Sequence, residues 1–186
     1  MRRTRTSSVR IAIGALAAAS TLALVAAAPA SAASLTQGKA RGVTTVTLDA
    51  GTVGALGGLG LSLGVLRPAG SDLSVLKVAF PITGNTKSGV VSHTGGLSFS
   101  AGGTTVALTN YQIDLGSGVL SANAAVNGDS VGRIGFLDLG AVTTPQGCDA
   151  SAPLALNADA AAALTAVFGA PNLTGAPVGV GCVDFR

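Results

Sequence analysis

The chain has no tryptophan and no glutamate, and among its 186 residues it has one tyrosine, one histidine and one methionine. Only 10 % of the residues are charged. Positioned titratable groups are what general acid–base catalysis requires, and clustered ones are what metal sites require. The eight aspartates are scattered. The composition therefore argues against an enzyme and against a metal site, and favours a protein that acts by binding.

A Ser-His-Asp hydrolase is the enzyme alternative, built from Ser92 or Ser98, His93 and one of the aspartates. The formal net charge is +3, but Arg2, Arg3, Arg5 and Arg10 all lie near the N-terminus. The rest of the chain is close to neutral and has no basic patch. Nucleic-acid binding, which depends on clustered lysine and arginine, is therefore not expected.

The N-terminus has the three parts of a secretory signal peptide. Residues 1–10 are basic and polar, Ile11 to Ala28 is an apolar run, and Ala30-Ser31-Ala32 is a small-residue cleavage site. We predict a signal-peptide helix within residues 1–32, a flexible lead-in over 33–42, and a secreted protein with no membrane span after cleavage. The alternative is an uncleaved N-terminal membrane anchor.

Two cysteines, Cys148 and Cys182, lie in the exported part. An even cysteine count in an exported protein indicates a disulfide, here one that closes a loop over a C-terminal helix. Metal binding by two thiolates is the alternative, but no second ligand pair is present.

Residues 43–186 form a single β-rich domain in this interpretation. Short alternating strands separated by glycine turns predict a mainly β fold, an antiparallel β-sandwich with one short C-terminal α-helix. The apolar phase shifts near Thr109-Asn110, where a β-bulge would keep Val106, Leu108, Tyr111, Ile113 and Leu115 all on the core side. The glycine-rich segment Gly51–Gly64 is predicted to be a loop that leads into a short strand.

The helix is predicted to start after Asn157, a favourable N-cap, and to stop at Gly169. Its apolar face contains Ala160, Ala161, Leu164, Val167 and Phe168 at helical spacing. The chain then closes with a strand over residues 178–185.

His93 and Tyr111 are the candidate ligand-binding residues. His93 could contact a ligand, including a haem iron or its propionates, or it could be a partly buried strand residue bonded to backbone. Tyr111 could be an iron ligand, or a core aromatic residue with its hydroxyl at the rim.

The stretch Gly-Val-Val-Ser-His-Thr-Gly-Gly-Leu-Ser-Phe-Ser at residues 89–100 resembles the Gly-x-Val-x-His-x-Gly-Gly-Leu core of HtaA-type domains. The strand at 104–114, the helix pattern at 156–169 and Pro177-Val178-Gly179 extend this likeness over residues 73–185. HtaA-type domains are β-rich, occur in bacterial surface and secreted proteins, and in some members capture haem.

The resemblance implies a secreted, non-enzymatic cell-envelope domain, in which His93 would lie near bound haem. Haem-binding members carry a tyrosine ligand in an N-terminal Trp-Gly segment, and Tyr111 does not match that position. The expected partner is haem or another envelope protein. The alternative is a structural or adhesive envelope domain without a small ligand, for which the sheet face around His93 would be filled.

Overall fold

The computed structural model describes residues 41–83 and 89–186. The predicted signal peptide and most of the predicted lead-in lie outside these residues and remain predictions. The described part is mainly β, with eleven strands, two α-helices and one short 3-10 turn at Leu73–Val75. The strands and helices are β1 Gly42–Leu48, α1 Ala50–Gly58, β2 Ser62–Leu66, β3 Gly70–Asp72, β4 Lys77–Pro81, β5 Val90–Ser92, β6 Gly96–Ala101, β7 Thr104–Asp114, β8 Val119–Val126, β9 Asp129–Leu139, β10 Ala150–Leu156, α2 Ala158–Phe168 and β11 Pro177–Phe185.

All strands belong to one antiparallel sheet with the order β2-β6-β7-β8-β9-β10-β11-β1-β4-β3, and β5 pairs with the second half of β7. A bridge between Ile82 and His93 joins the end of β4 to the residue that follows β5. The sheet therefore curls until its two sides meet near His93. The predicted mainly β, antiparallel fold is confirmed, and the two layers expected of a sandwich are opposite walls of one continuous sheet.

Strand β7 carries the predicted bulge. The register between β7 and β8 shifts between Thr109 and Gln112, and Asn110 has a positive φ of 52°. This extra residue keeps four apolar side chains on the buried face, namely Val106, Leu108, Tyr111 and Ile113. The prediction was wrong for Leu115, which lies just beyond the strand and is 55 % exposed.

The first helix corrects the sequence analysis, which placed a loop at Gly51–Gly64. Helix α1 contains four glycines, each less favourable in a helix than alanine by about 1 kcal/mol, and this composition suggested a loop. The Asp49 side chain caps the helix by accepting a hydrogen bond from the Thr52 amide at 2.8 Å, which offsets part of this cost. Leu56 packs against the core from this helix.

The second helix and the disulfide are as predicted. Asn157 caps α2 by accepting a hydrogen bond from the Asp159 amide, and Gly169 ends the helix with a left-handed φ of 67°. Cys148 and Cys182 are bonded, with 5.5 Å between their Cα atoms. The bond attaches the segment between β9 and β10 to strand β11.

The curled sheet has two ends, which we name by what borders them. At the helix-covered end, apolar side chains of α1 and α2 complete the interior; they include Leu56, Ala160, Leu164 and Val167. At the open end, the interior reaches the surface between three exposed apolar side chains, Leu115, Val142 and Phe185. No helix within residues 41–83 and 89–186 has the length and apolar character needed to span a membrane.

Candidate functional site

A buried polar pair lies inside the curled sheet. The period-two alternation of β1 directs Thr44 and Val46 inward, and Thr44 Oγ1 lies 2.7 Å from Nε2 of His93. The backbone of His93 is fixed from two sides: its amide donates to the Tyr111 carbonyl at 2.8 Å, and its bridge to Ile82 ties it to β4. The pair therefore links β1 to the segment that closes the sheet.

The imidazole of His93 is buried, with 4 % of the residue exposed. Burial lowers its pKa to about 4, an effect that the neighbouring Tyr111 carbonyl partly opposes. The ring is therefore neutral near pH 7. Its second nitrogen, Nδ1, is buried and has no hydrogen-bond partner among the described residues. A buried polar atom without a partner is uncommon in folded proteins.

Tyr111 belongs to the core, but its hydroxyl is buried and does not lie at the rim. Its side chain is 3 % exposed, and its hydroxyl accepts a hydrogen bond from the Leu97 amide at 3.0 Å. Its ring stacks on Phe136 with 5.8 Å between centroids and meets Phe80 edge-on at 5.1 Å. Burial raises the pKa of the phenol well above its usual range, so the hydroxyl keeps its proton.

His93 and Tyr111 both border a cavity of about 180 Å³ at the helix-covered end, which reaches the surface beside the exposed Val131. The lining is almost wholly apolar and comes from both helices and from the opposite walls of the sheet. Four aromatic rings take part, those of Phe80, Phe99, Tyr111 and Phe136. The structure thus brings the two sequence-predicted site residues together around one apolar space.

A second cavity of about 100 Å³ lies at the open end. It shares Thr44, Val46, Ile113 and Leu120 with the first cavity, so the two spaces are separated by a single layer of side chains. Cys148 and Cys182 border neither cavity, although their bond holds the segment that carries Val142 at this end.

The Thr44–His93 pair lacks the other parts of a hydrolase site. In the described part of the chain the ring of His93 is hydrogen-bonded to Thr44 alone, and neither Ser92, Ser98 nor a carboxylate bonds to it. A base with a pKa near 4 is a weak proton acceptor at neutral pH. Within residues 41–83 and 89–186, no group of three His, Cys, Asp or Glu side chains could hold a metal ion.

The sequence also contains a Gly-x-Ser-x-Gly spacing at Gly60 to Gly64, which is the spacing of a hydrolase nucleophile elbow. That elbow requires a sharp turn from a strand into a helix. Here Ser62 begins strand β2, after a helix, and its exposed hydroxyl donates to the Ser100 carbonyl at 3.1 Å. This Gly-x-Ser-x-Gly sequence therefore does not form a nucleophile elbow in this fold.

Thr44 was not predicted to be a site residue. Its inward position follows from the same alternation that places Val46 and Leu48 on the core side, and that signal was present in the sequence. Its pairing with His93, 49 residues away, depends on how the sheet closes and had no local signal.

A similar fold occurs in the crystal structure of the C-terminal domain of HtaA from Corynebacterium glutamicum. The superposition has a TM-score of 0.51 at 18 % sequence identity, and it covers 77 % of this chain and 97 % of that domain. Similarity at this level of identity indicates a shared fold. Neither a protein-family model nor a curated protein matches the chain.

Proposed function

We propose that the protein is a secreted, non-enzymatic cell-envelope domain that binds a small apolar molecule inside its curled sheet. The observation that carries this proposal is the apolar cavity of about 180 Å³ beside His93. A purely structural domain would have this space filled by side chains, since protein interiors are normally close-packed. Cavities of this kind, lined by apolar residues with a few polar groups, are where small ligands usually bind.

The signal-peptide pattern and the HtaA-like fold support the secreted, envelope-associated part of the proposal. The disulfide supports it as well, because such bonds persist in oxidising compartments. Among the described residues, no carboxylate is hydrogen-bonded to His93 beside Thr44. This arrangement supports a binding role over an enzymatic one.

Haem is the ligand that the family resemblance implied, and the residues present do not fit it well. Nε2 of His93 is already hydrogen-bonded to Thr44, and burial keeps the hydroxyl of Tyr111 protonated, whereas an iron ligand would be the phenolate. The cavity of about 180 Å³ is also smaller than the roughly 300–1,000 Å³ typical of pockets for drug-sized ligands. A smaller ligand than haem is therefore favoured.

Thermal unfolding in the presence of toluene tests the proposal, because a ligand that binds only the folded state stabilises it. At a concentration about five times its Kd, toluene should add about 1 kcal/mol of stability. The variant Ala163→Leu, which fills the cavity from α2, should lose this response. Ala162→Leu makes the same substitution at the neighbouring exposed position of α2 and should keep it.

A hemin titration distinguishes haem binding from binding of a small apolar ligand and from a domain without a ligand. A Soret band that develops with hemin and disappears in His93→Ala would support haem binding over the proposed ligand class. If neither toluene nor hemin changes the unfolding temperature or the spectrum, the structural or adhesive alternative replaces the proposal.

A further inference from the structure

The larger cavity is long and narrow. Along the paired strands β7 and β8, its lining runs from Val106 and Val126 at one end to Ile113 and Leu120 at the other. The distance along β8 between these two ends is about 20 Å at the usual rise of a strand. A sphere with the volume of this cavity, about 180 Å³, would be far shorter than that span. The space therefore suits an extended guest better than a compact one.

The two ends of this cavity differ. Strand β8 turns into β9 just after Val126, and near the start of β9 the cavity reaches the surface beside Val131, which is 58 % exposed. The opposite end is closed by the residues that both cavities share, which we call the dividing layer: Thr44, Val46, Ile113 and Leu120. The larger cavity thus has a mouth at Val131, and the smaller apolar cavity begins beyond its closed end.

The lining also restricts where a polar group of the guest can lie. Among the described residues, it contains no lysine, arginine or carboxylate. An ion inside would lose its hydration without gaining an opposite charge. A charged head group would be solvated only at the mouth, so the hydrocarbon part of the guest lies inside and its polar end lies at the surface.

We infer that the larger cavity holds one unbranched alkyl chain, which enters beside Val131 and ends against the dividing layer. This inference rests on the proposed function and narrows its ligand class to single-chain amphiphiles, whose head group stays in solvent. It gives Leu120 a role in specificity, because the side chains of the dividing layer set the length of chain that fits.

Two isomeric alcohols test the width of the cavity. The chain of n-nonanol is unbranched, whereas trimethylhexanol contains the same atoms with methyl branches. The wild-type protein should bind n-nonanol about tenfold more tightly or better, since extra methyl groups in a close-fitting space are unfavourable. Isothermal titration calorimetry gives both values of Kd, and the partition of each alcohol between water and hexadecane corrects for their difference in hydrophobicity.

A series of n-alkanols tests the length. Each added methylene should lower the Kd by about fourfold until the chain reaches the dividing layer, where the gain should stop. Leu120→Ala opens this layer toward the smaller cavity, so the gain should continue for about three more methylenes. Leu108→Ala is the matched control: Leu108 is also buried, but it lines the larger cavity only, midway along β7. Its limiting length should equal that of the wild-type protein.

The outcomes separate this inference from the proposed function. If the two isomers bind equally, or if toluene binds and neither alcohol does, the inference is overturned and the apolar site stands. If Leu120→Ala leaves the limiting length unchanged, or Leu108→Ala extends it equally, Leu120 does not set the end of the chain. If neither the alcohols nor toluene raises the unfolding temperature of the wild-type protein, the proposed function is refuted, and the inference with it. The comparison of isomers needs only the wild-type protein, so it decides the question even where a variant does not fold.

Discussion

The two ends of the curled sheet are held in different ways. At the helix-covered end, the apolar faces of α1 and α2 lie over the interior, and burial of side chains stabilises the closure. At the open end, Leu115, Val142 and Phe185 remain 55, 57 and 40 % exposed, and the disulfide between Cys148 and Cys182 anchors the nearby segment. One end is therefore stabilised by packing, and the other by a covalent bond.

The two ends therefore have different proposed roles in ligand binding. The packed end surrounds the larger cavity, so its side chains would set the size of the proposed ligand. The open end leaves apolar side chains at the surface next to the smaller cavity, an arrangement typical of a binding site or its entrance. Substitutions at one end, at the other, or in the side-chain layer between the two cavities should therefore differ in their effects.

The largest effect should follow loss of the disulfide. The variant Cys148→Ser/Cys182→Ser opens a loop with a sequence separation of 34 residues, which in the chain-entropy model lowers the free energy of unfolding by about 4 kcal/mol. Urea unfolding of the variant and the oxidised wild type gives this difference. A change below about 1 kcal/mol would show that the open end does not depend on the bond.

Removing packing at the other end should cost somewhat less. Leu156 is buried at the end of β10 and borders the larger cavity, and Leu156→Ala should lower the free energy of unfolding by about 3 kcal/mol. The enlarged cavity should also accept bulkier guests than toluene. Urea unfolding measures the first effect, and thermal shifts with naphthalene the second; an unchanged range of guests would indicate that the space has collapsed.

Lowering the pH should reduce the free energy of unfolding through His93, which pairs with Thr44 between the two ends. The pKa of His93 is about 4 in the folded protein and 6.5 in the unfolded chain. Stability is therefore complete above pH 6.5 and falls as the pH drops toward 4, because only the unfolded chain takes up the proton. Between pH 7.5 and pH 5 the loss should be about 2 kcal/mol. His93→Gln should remove most of this slope, and an equal slope in the variant would contradict the assignment.

Helix α1 should tolerate alanine at two of its glycines. A Cβ atom at Gly54 or Gly57 meets no neighbouring atom within 4 Å, and neither residue has a positive φ. Each alanine should therefore raise the free energy of unfolding by about 0.5–1 kcal/mol. Because α1 lies over the larger cavity, the double variant should also release toluene more slowly, which NMR exchange measurements can detect. Faster release would mean that α1 does not control access.

The smallest effect is expected at the open end. Leu115→Ala should change the free energy of unfolding by less than about 0.5 kcal/mol, because the side chain is already exposed. A loss as large as that for Leu156→Ala would show that Leu115 is buried in solution, and the contrast between the two ends would disappear.

The sequence carried enough information for the strand pattern, the bulge in β7, helix α2 and the disulfide, since each has a local or compositional signal. Helix α1 was missed because its four glycines disfavour a helix, although Asp49 is a local N-cap signal; its packing through Leu56 depends on tertiary structure. Leu115 was misplaced because strand β7 ends one residue before it, and alternation alone does not reveal that end.

His93 and Tyr111 could be proposed as site residues because each is the only residue of its type in the chain. The cavity between them could not be predicted, because its volume depends on how far the opposite walls of the sheet stand apart. Its size is what favours a guest smaller than haem.

The single tyrosine has one more consequence. With no tryptophan in the chain, ultraviolet emission excited near the phenol band comes from Tyr111 alone. Its ring borders the larger cavity and is 3 % exposed. The molecule thus contains its own fluorescent reporter, whose intensity and lifetime would register occupancy without any attached dye.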